Sequence, residues 1–182
     1  MTTSYTGPGL AEHLVHKGRA MRQAGLDRPH VDDWHEDLEA VCVADDVTGV
    51  RKLRIRDWGF IGDGGPAIGG NDLGPTSPEL LLGVISTCFT HTITIMAALE
   101  GVPLDRVEVR VTAANNDANF FGVESDRGWV PYGIAATVTA ESMAAEPGVV
   151  DELVTRAGNT CPVLQMLRRG TPIEVRLAEA AA

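Results

Sequence analysis

An α+β fold, with antiparallel sheet packed against helices on one face, is what this sequence predicts. Three observations carry that expectation. Two stretches of two-residue alternation precede one long apolar segment, and two strongly alternating stretches follow it. The apolar segment, from Ser77 to Glu100, begins and ends with helix signals. The resulting order, β-β-α-β-β-α-α-β, lacks the regular strand–helix repeat of a parallel sheet.

Residues 1–9 read as a flexible start. Leu10 to Ala24 forms a modest amphipathic helix with Leu10, Leu14 and Met21 near one face. Gly25 can end it, and Pro29 blocks continuation. A polar linker runs to Trp34, so residues 1–34 read as an N-terminal arm and residues 35–182 as the main domain. The period then changes to two. Leu38, Ala40, Cys42 and Ala44 alternate with Glu39, Val41, Val43 and Asp45, which puts Cys42 on the inward side. Asp45-Asp46 and Thr48-Gly49 signal a turn. Beyond it Leu53 and Ile55 alternate with Lys52, Arg54 and Arg56, giving a hairpin with one apolar and one charged face. Residues 59–76 carry seven glycines and two prolines and read as a flexible crossover. No Gly-Lys-Ser/Thr follows, so this is no phosphate loop.

The long helix has Ser77 as N-cap and Pro78 in the first helical position, and Gly101 and Pro103 end it. It is apolar on all sides and long enough to span a membrane. Its five hydroxyl residues between Ser86 and Thr94, and flanks of Glu79 and Glu100 without a Lys or Arg anchor, favour a buried central helix instead. Val107–Thr112 and Tyr132–Ala140 alternate as strands around the polar loop 115–119. Pro147 opens another helix, which Asn159 interrupts; Val163 to Arg168 forms a short helix ending at Gly170. Pro172–Leu177 reads as a last strand before an Ala-rich tail.

The net charge of −10 and the scattered Lys and Arg argue against nucleic acid as a partner, and aromatics at 5% leave little for base stacking. The N-terminus shows neither the basic nor the apolar region of a signal peptide. Three widely spaced cysteines do not form a secreted disulfide framework. A soluble cytoplasmic protein is expected. His13, His16, His30 and His35 lie near Asp32 and Asp33 without a dense ligand pattern, so neither a metal nor a cofactor is expected.

Two cysteines could carry chemistry. Cys88 sits mid-way along the apolar helix, as an inert packing residue or a reactive thiol. Cys161 precedes Pro162, where a helix start would favour a thiolate. His91, one turn after Cys88, is either a core histidine or the base of a Cys–His pair.

The stretch Gly74-Pro75-Thr76-Ser77-Pro78-Glu79-Leu80-Leu81-Leu82-Gly83-Val84-Ile85-Ser86-Thr87-Cys88-Phe89 resembles the opening of the central helix in the OsmC/Ohr family of organic-hydroperoxide-reducing thiol proteins. Asn159-Thr160-Cys161-Pro162-Val163-Leu164-Gln165-Met166-Leu167-Arg168-Arg169-Gly170 resembles that family's second-cysteine segment. The similarity covers roughly residues 36–178. It implies an intertwined homodimer with antiparallel sheets wrapped around long central helices. It also implies a reaction: Cys88 attacks an organic hydroperoxide and becomes a sulfenic acid, Cys161 condenses with it to a disulfide, and a dithiol reductant restores the pair.

Activation sets a physical requirement. Moving a thiol pKa from about 8.5 to about 5.5 takes roughly 4 kcal/mol. The helix dipole fades within its first turn, well short of Cys88. One guanidinium at about 4 Å and an effective dielectric of about 20 supplies roughly that amount. The family uses an arginine from its N-terminal region, held by a glutamate ten residues before the first cysteine. Here that position is Pro78. Glu79 is the nearest acid, nine residues before Cys88 and on the opposite face of a straight helix. Arg56, where the second strand enters the Gly-rich loop, is the arginine chosen. Ile85, Phe89 and Met96 beside Cys88 suit an apolar peroxide. The alternative is a non-catalytic dimer of the same fold that binds a small apolar ligand or a partner.

Overall fold

The computed structural model describes residues 9–124, 126, 130–146 and 148–178. The helix start expected at Pro147 therefore lies outside the described residues. The order is α1 (Leu10–Asp27), β1 (Val41–Ala44), β2 (Arg51–Ile55), β3 (Trp58–Gly62), α2 (Ser77–Glu100), β4 (Arg106–Ala114), β5 (Tyr132–Glu141), α3 (Val149–Thr160) and α4 (Pro162–Arg169). Short 3₁₀ turns cover Val31–Trp34, Pro66–Ile68 and Ala118–Phe121. The α+β class holds, with two antiparallel sheets, β1-β2-β3 and β4-β5.

The core is built on α2. Phe89, Ile93, Ala97 and Ala98 pack with Leu14 of α1, Leu104, Leu153 and Ala157 of α3, and Cys161. Val107 and Val109 of β4 and Val138 of β5 close it from the sheet side. On β4 the alternation is strict, with Arg106, Glu108 and Arg110 outward, as a strand with one buried face requires.

α1 is not a loose arm. It continues past Gly25 to Asp27, because packing against α2 outweighs the roughly 1 kcal/mol that an interior glycine costs. Gly18 makes the approach possible, since a Cβ there would lie 2.1 Å from the Ala98 carbonyl oxygen. Arg22 also reaches the C-terminal end of α2, donating to the Leu99 carbonyl oxygen. Gly18→Ala is therefore expected to push the two helices apart and to cost about 1–3 kcal/mol in urea unfolding. A loss below a few tenths would mean the contact is slack.

The region expected as loop from Gly59 contains β3, which pairs with β2 through Leu53↔Phe60 and Ile55↔Trp58. The crossover after it is ordered around one buried carboxylate. Asp63 accepts from the backbone N–H groups of Gly64, Asn71 and Leu73 at 2.7, 3.0 and 3.2 Å. Those bonds hold its pKa below the ordinary carboxylate value. Gly70 faces the Gly64 carbonyl oxygen where a Cβ would stand only 1.9 Å away.

Two further expectations change. Cys42 is exposed, because nothing among the described residues covers either face of β1. Pro172–Leu177 forms no strand; Ile173, Val175 and Leu177 are 87–99% exposed. A strand needs a neighbouring edge, and none lies beside this segment among the described residues.

A two-cysteine candidate active site

α2 starts one residue earlier than the Ser77 cap expected. Thr76 is the N-cap, in a capping box with Glu79. The Thr76 N–H and hydroxyl donate to Glu79 Oε2 at 2.7 and 2.8 Å, and the Glu79 N–H returns to Thr76 Oγ1. The Thr76 N–H, then its hydroxyl, hold the Glu79 carboxyl below its ordinary pKa. The cap is thus complete above the ordinary glutamate value of about 4.3 and weakens as pH falls through the lowered one. Thr76→Ala is expected to cost about 0.5–2 kcal/mol by urea unfolding at pH 7. The difference from wild type should shrink as pH falls below the ordinary value and through the lowered one, as the carboxylate takes up its proton; a pH-independent difference would disprove the cap's role.

Cys88 lies about three turns into α2, half-buried. Cys161 lies at the joint where α3 ends and α4 begins, and is fully buried. Pro162 makes that joint: it disfavours a helical conformation for the residue before it, and Cys161 takes ψ 119°. The helix therefore runs through Asn159 to Thr160 and breaks at the cysteine. Packing of α3 and α4 onto α2 then brings the two sulfurs to 3.6 Å, from positions 73 residues apart. Both are free thiols at van der Waals contact. A bond of about 2.05 Å needs them to close by only about 1.5 Å.

Burial pushes the Cys88 thiol above its ordinary pKa, and the neighbouring Cys161 sulfur adds to the push. The backbone N–H of Val163 works the other way, with a smaller contribution from Thr92. No cation is among these groups. Partial burial, then the Lys17 charge from α1, hold the His91 imidazole below its ordinary pKa, so it is neutral at pH 7.

The structure brings together Cys88 and Cys161 but neither of the other expected site residues. Glu79 is engaged in the cap at the far end of α2. Arg56 lies exposed in the β2–β3 turn with φ +52°. Ile85 and Phe89 are buried in the core rather than lining a peroxide pocket. A cavity of about 580 Å³ opens at the N-terminal end of α2 between Arg51, Pro78, Phe120 and Phe121, and neither sulfur lines it. The Val163 N–H was not singled out from the sequence; Pro162 after Cys161 was the available signal, since a proline there makes Val163 the first residue of α4 with an N–H to give.

Residues 69–176 match the family profile described as OsmC-like protein. The chain belongs to the OsmC family. A search of curated proteins gives no match. Among solved structures, an OsmC-like protein from Mycoplasma pneumoniae is similar with a TM-score of 0.61 at 14% identity, over 73% of this chain and 88% of that one. An OsmC-like protein from Vibrio cholerae has a TM-score of 0.54 at 8% identity, over 72% and 93%. An organic hydroperoxide resistance protein from Elizabethkingia anophelis has a TM-score of 0.52 at 13% identity, over 74% and 89%. At these identities the likeness is one of fold. α1 precedes the matched residues, so this chain adds a helix to the part that the OsmC profile covers.

Proposed function

We propose that this OsmC-family chain reduces organic hydroperoxides with Cys88 as the attacking thiol and Cys161 as the resolving one. The contact between their sulfurs supports the reading most directly. An inert packing cysteine has no need of a second, buried thiol from a distant segment. A dithiol returns the resulting disulfide to the reduced pair. One equivalent of cumene hydroperoxide should remove two thiols per chain, and peptide mapping should find Cys88 joined to Cys161. An unchanged thiol count sinks the proposal.

The reading includes a soluble, cytoplasmic homodimer. α2 is long and apolar enough to cross a membrane by length and composition, yet one of its sides is the core of this fold. Its other side leaves Val84 51% exposed. Ile55, Trp58 and Phe60 share one uncovered face of the three-stranded sheet with Cys42. Together with the exposed tail this is more apolar surface than a monomer ordinarily presents, and a second copy would cover it. In that assembly Arg56, at the exposed hairpin turn, is our candidate for the cation that meets Cys88, and Glu79 serves as the cap of α2. Sedimentation should give twice the chain mass.

One observation favours the rival reading, a dimer of this fold that binds an apolar ligand or partner without turnover. Among the described residues no cation acts on Cys88, and its thiol is pushed up rather than down. The same peroxide titration decides between the two.

A further inference from the structure

We propose that the dithiol restoring the pair attacks the disulfide at the Cys88 sulfur rather than at Cys161, so that peroxide and reductant use one opening in turn. The inference rests on the redox reading of the two cysteines. A thiolate breaks a disulfide by entering at one of its two sulfurs, so access to each sulfur decides which is taken. The two ends of this pair differ. Cys161 is fully buried and belongs to the cluster that holds Phe89, Ile93, Leu153 and Ala157. Cys88 is half-buried and packs against that cluster with part of its surface still open. Forming the bond draws the sulfurs only about 1.5 Å closer than their 3.6 Å contact, too little to bring Cys161 to the surface. The joint that carries Cys161 is also tied shut. Gln165 Nε2 donates to the Asn159 carbonyl oxygen at 2.7 Å, and the Arg168 guanidinium donates to the Gly158 carbonyl oxygen at 2.8 Å. Both bonds run from α4 back to the end of α3, across Cys161. A second copy docked on this chain buries Cys161 no less, whereas any assembly in which peroxide reacts keeps a route to Cys88.

The entering thiolate forms a bond to the Cys88 sulfur, and the Cys88–Cys161 bond breaks. Cys161 leaves with the electron pair and takes up the proton that the entering thiol gave up. The reductant is then held on Cys88 as a mixed disulfide, with the Cys161 thiol again beside it. The second thiol of the reductant loses its proton and attacks the reductant's own sulfur in that mixed disulfide. An S–S bond closes within the reductant, the bond to Cys88 breaks, and Cys88 leaves with the electron pair and takes the proton. The dithiol is oxidised by two electrons and the protein disulfide is reduced by two.

The test traps the first half of that exchange on the full wild-type chain. Diamide makes the disulfide, so its formation does not depend on peroxide. Glutathione is the probe: it has no second thiol, and Cys161 expels it again by remaking the protein disulfide. The mixture is therefore quenched in acid within the first turnover, free thiols are blocked with N-ethylmaleimide, and the peptides are mapped. Glutathione should sit on Cys88 and the maleimide on Cys161, with about tenfold or more adduct at Cys88 than at Cys161. In urea, where burial is lost, the two sulfurs should take glutathione alike. Glutathione mainly on Cys161, equal labelling of the folded chain, no adduct at either sulfur, or a preference that survives unfolding overturns the inference. So does a failure of diamide to join the two cysteines. A chain whose thiols ignore cumene hydroperoxide, but whose diamide-made disulfide opens at Cys88, keeps this direction of attack and loses only the peroxidase. A chain that peroxide oxidises and glutathione opens at Cys161 keeps the peroxidase and loses the inference.

Discussion

Cys88→Ser is expected to abolish the peroxide-driven loss of thiols altogether. Serine replaces the sulfur with an oxygen whose hydroxyl stays protonated across the working pH range, so no comparable nucleophile remains. The two remaining cysteines should not compensate. Cys161 is fully buried at its helix joint, and Cys42 is exposed on a strand in the other sheet. Cys161→Ser should behave differently. Peroxide should still oxidise Cys88, but the product should stop at a sulfenic acid that a dimedone-type probe traps, with one thiol lost per chain. Cys42→Ser should react as wild type does. Measured together, the three variants assign the roles. A Cys88→Ser protein that still forms a disulfide, or a Cys42→Ser protein that cannot, would refute the assignment. The pH profile carries a sign. Because burial and Cys161 push the Cys88 thiol up, the isolated chain holds less than the roughly 3% thiolate of an ordinary cysteine at pH 7. Alkylation of Cys88 in a dilute monomer should therefore rise with pH through the ordinary thiol range. A plateau already reached at neutral pH would mean a cation stands closer than the single chain shows.

Ile93→Ala should be the most damaging core change, at about 2–5 kcal/mol. Ile93 is fully buried in the cluster that α2 shares with Leu14, Leu104, Leu153 and Cys161. α2 supplies much of that cluster, so neighbours on several sides would have to move to fill the space. A domain of ordinary stability holds about 5–15 kcal/mol in all, so the variant would lose a large share of it. Urea unfolding should show a lower midpoint with an unchanged slope. A loss below about 1 kcal/mol would mean that the site collapses freely and that the cluster is less tightly packed than its burial indicates.

Some of this protein could be read along the chain and some could not. The ends of α2 could, the start to within one residue, because the Thr76-Ser77-Pro78-Glu79 start and the left-handed Gly101 stop act over a single turn. The outward and inward faces of β4 follow from strict alternation. β3 was hidden because two of its five residues, Gly59 and Gly62, carry no side chain to show a period. Cys42 and the Pro172–Leu177 segment show the reverse failure. Their alternation marks a face or an edge that wants covering, but among the described residues neither the cover nor the neighbouring strand is there.

By itself the sequence determined the α+β class, most of the helices and the alternating strands, where α2 ends and, to within one residue, where it begins, and that two cysteine segments of OsmC type lie in this order. Only the tertiary structure decided that α1 docks on α2 through Gly18 and that the sulfurs of Cys88 and Cys161 meet. The reason is range. Caps, turns and alternation are set by neighbours within a few residues, whereas a contact across 73 residues exists only once α3 and α4 have packed against α2.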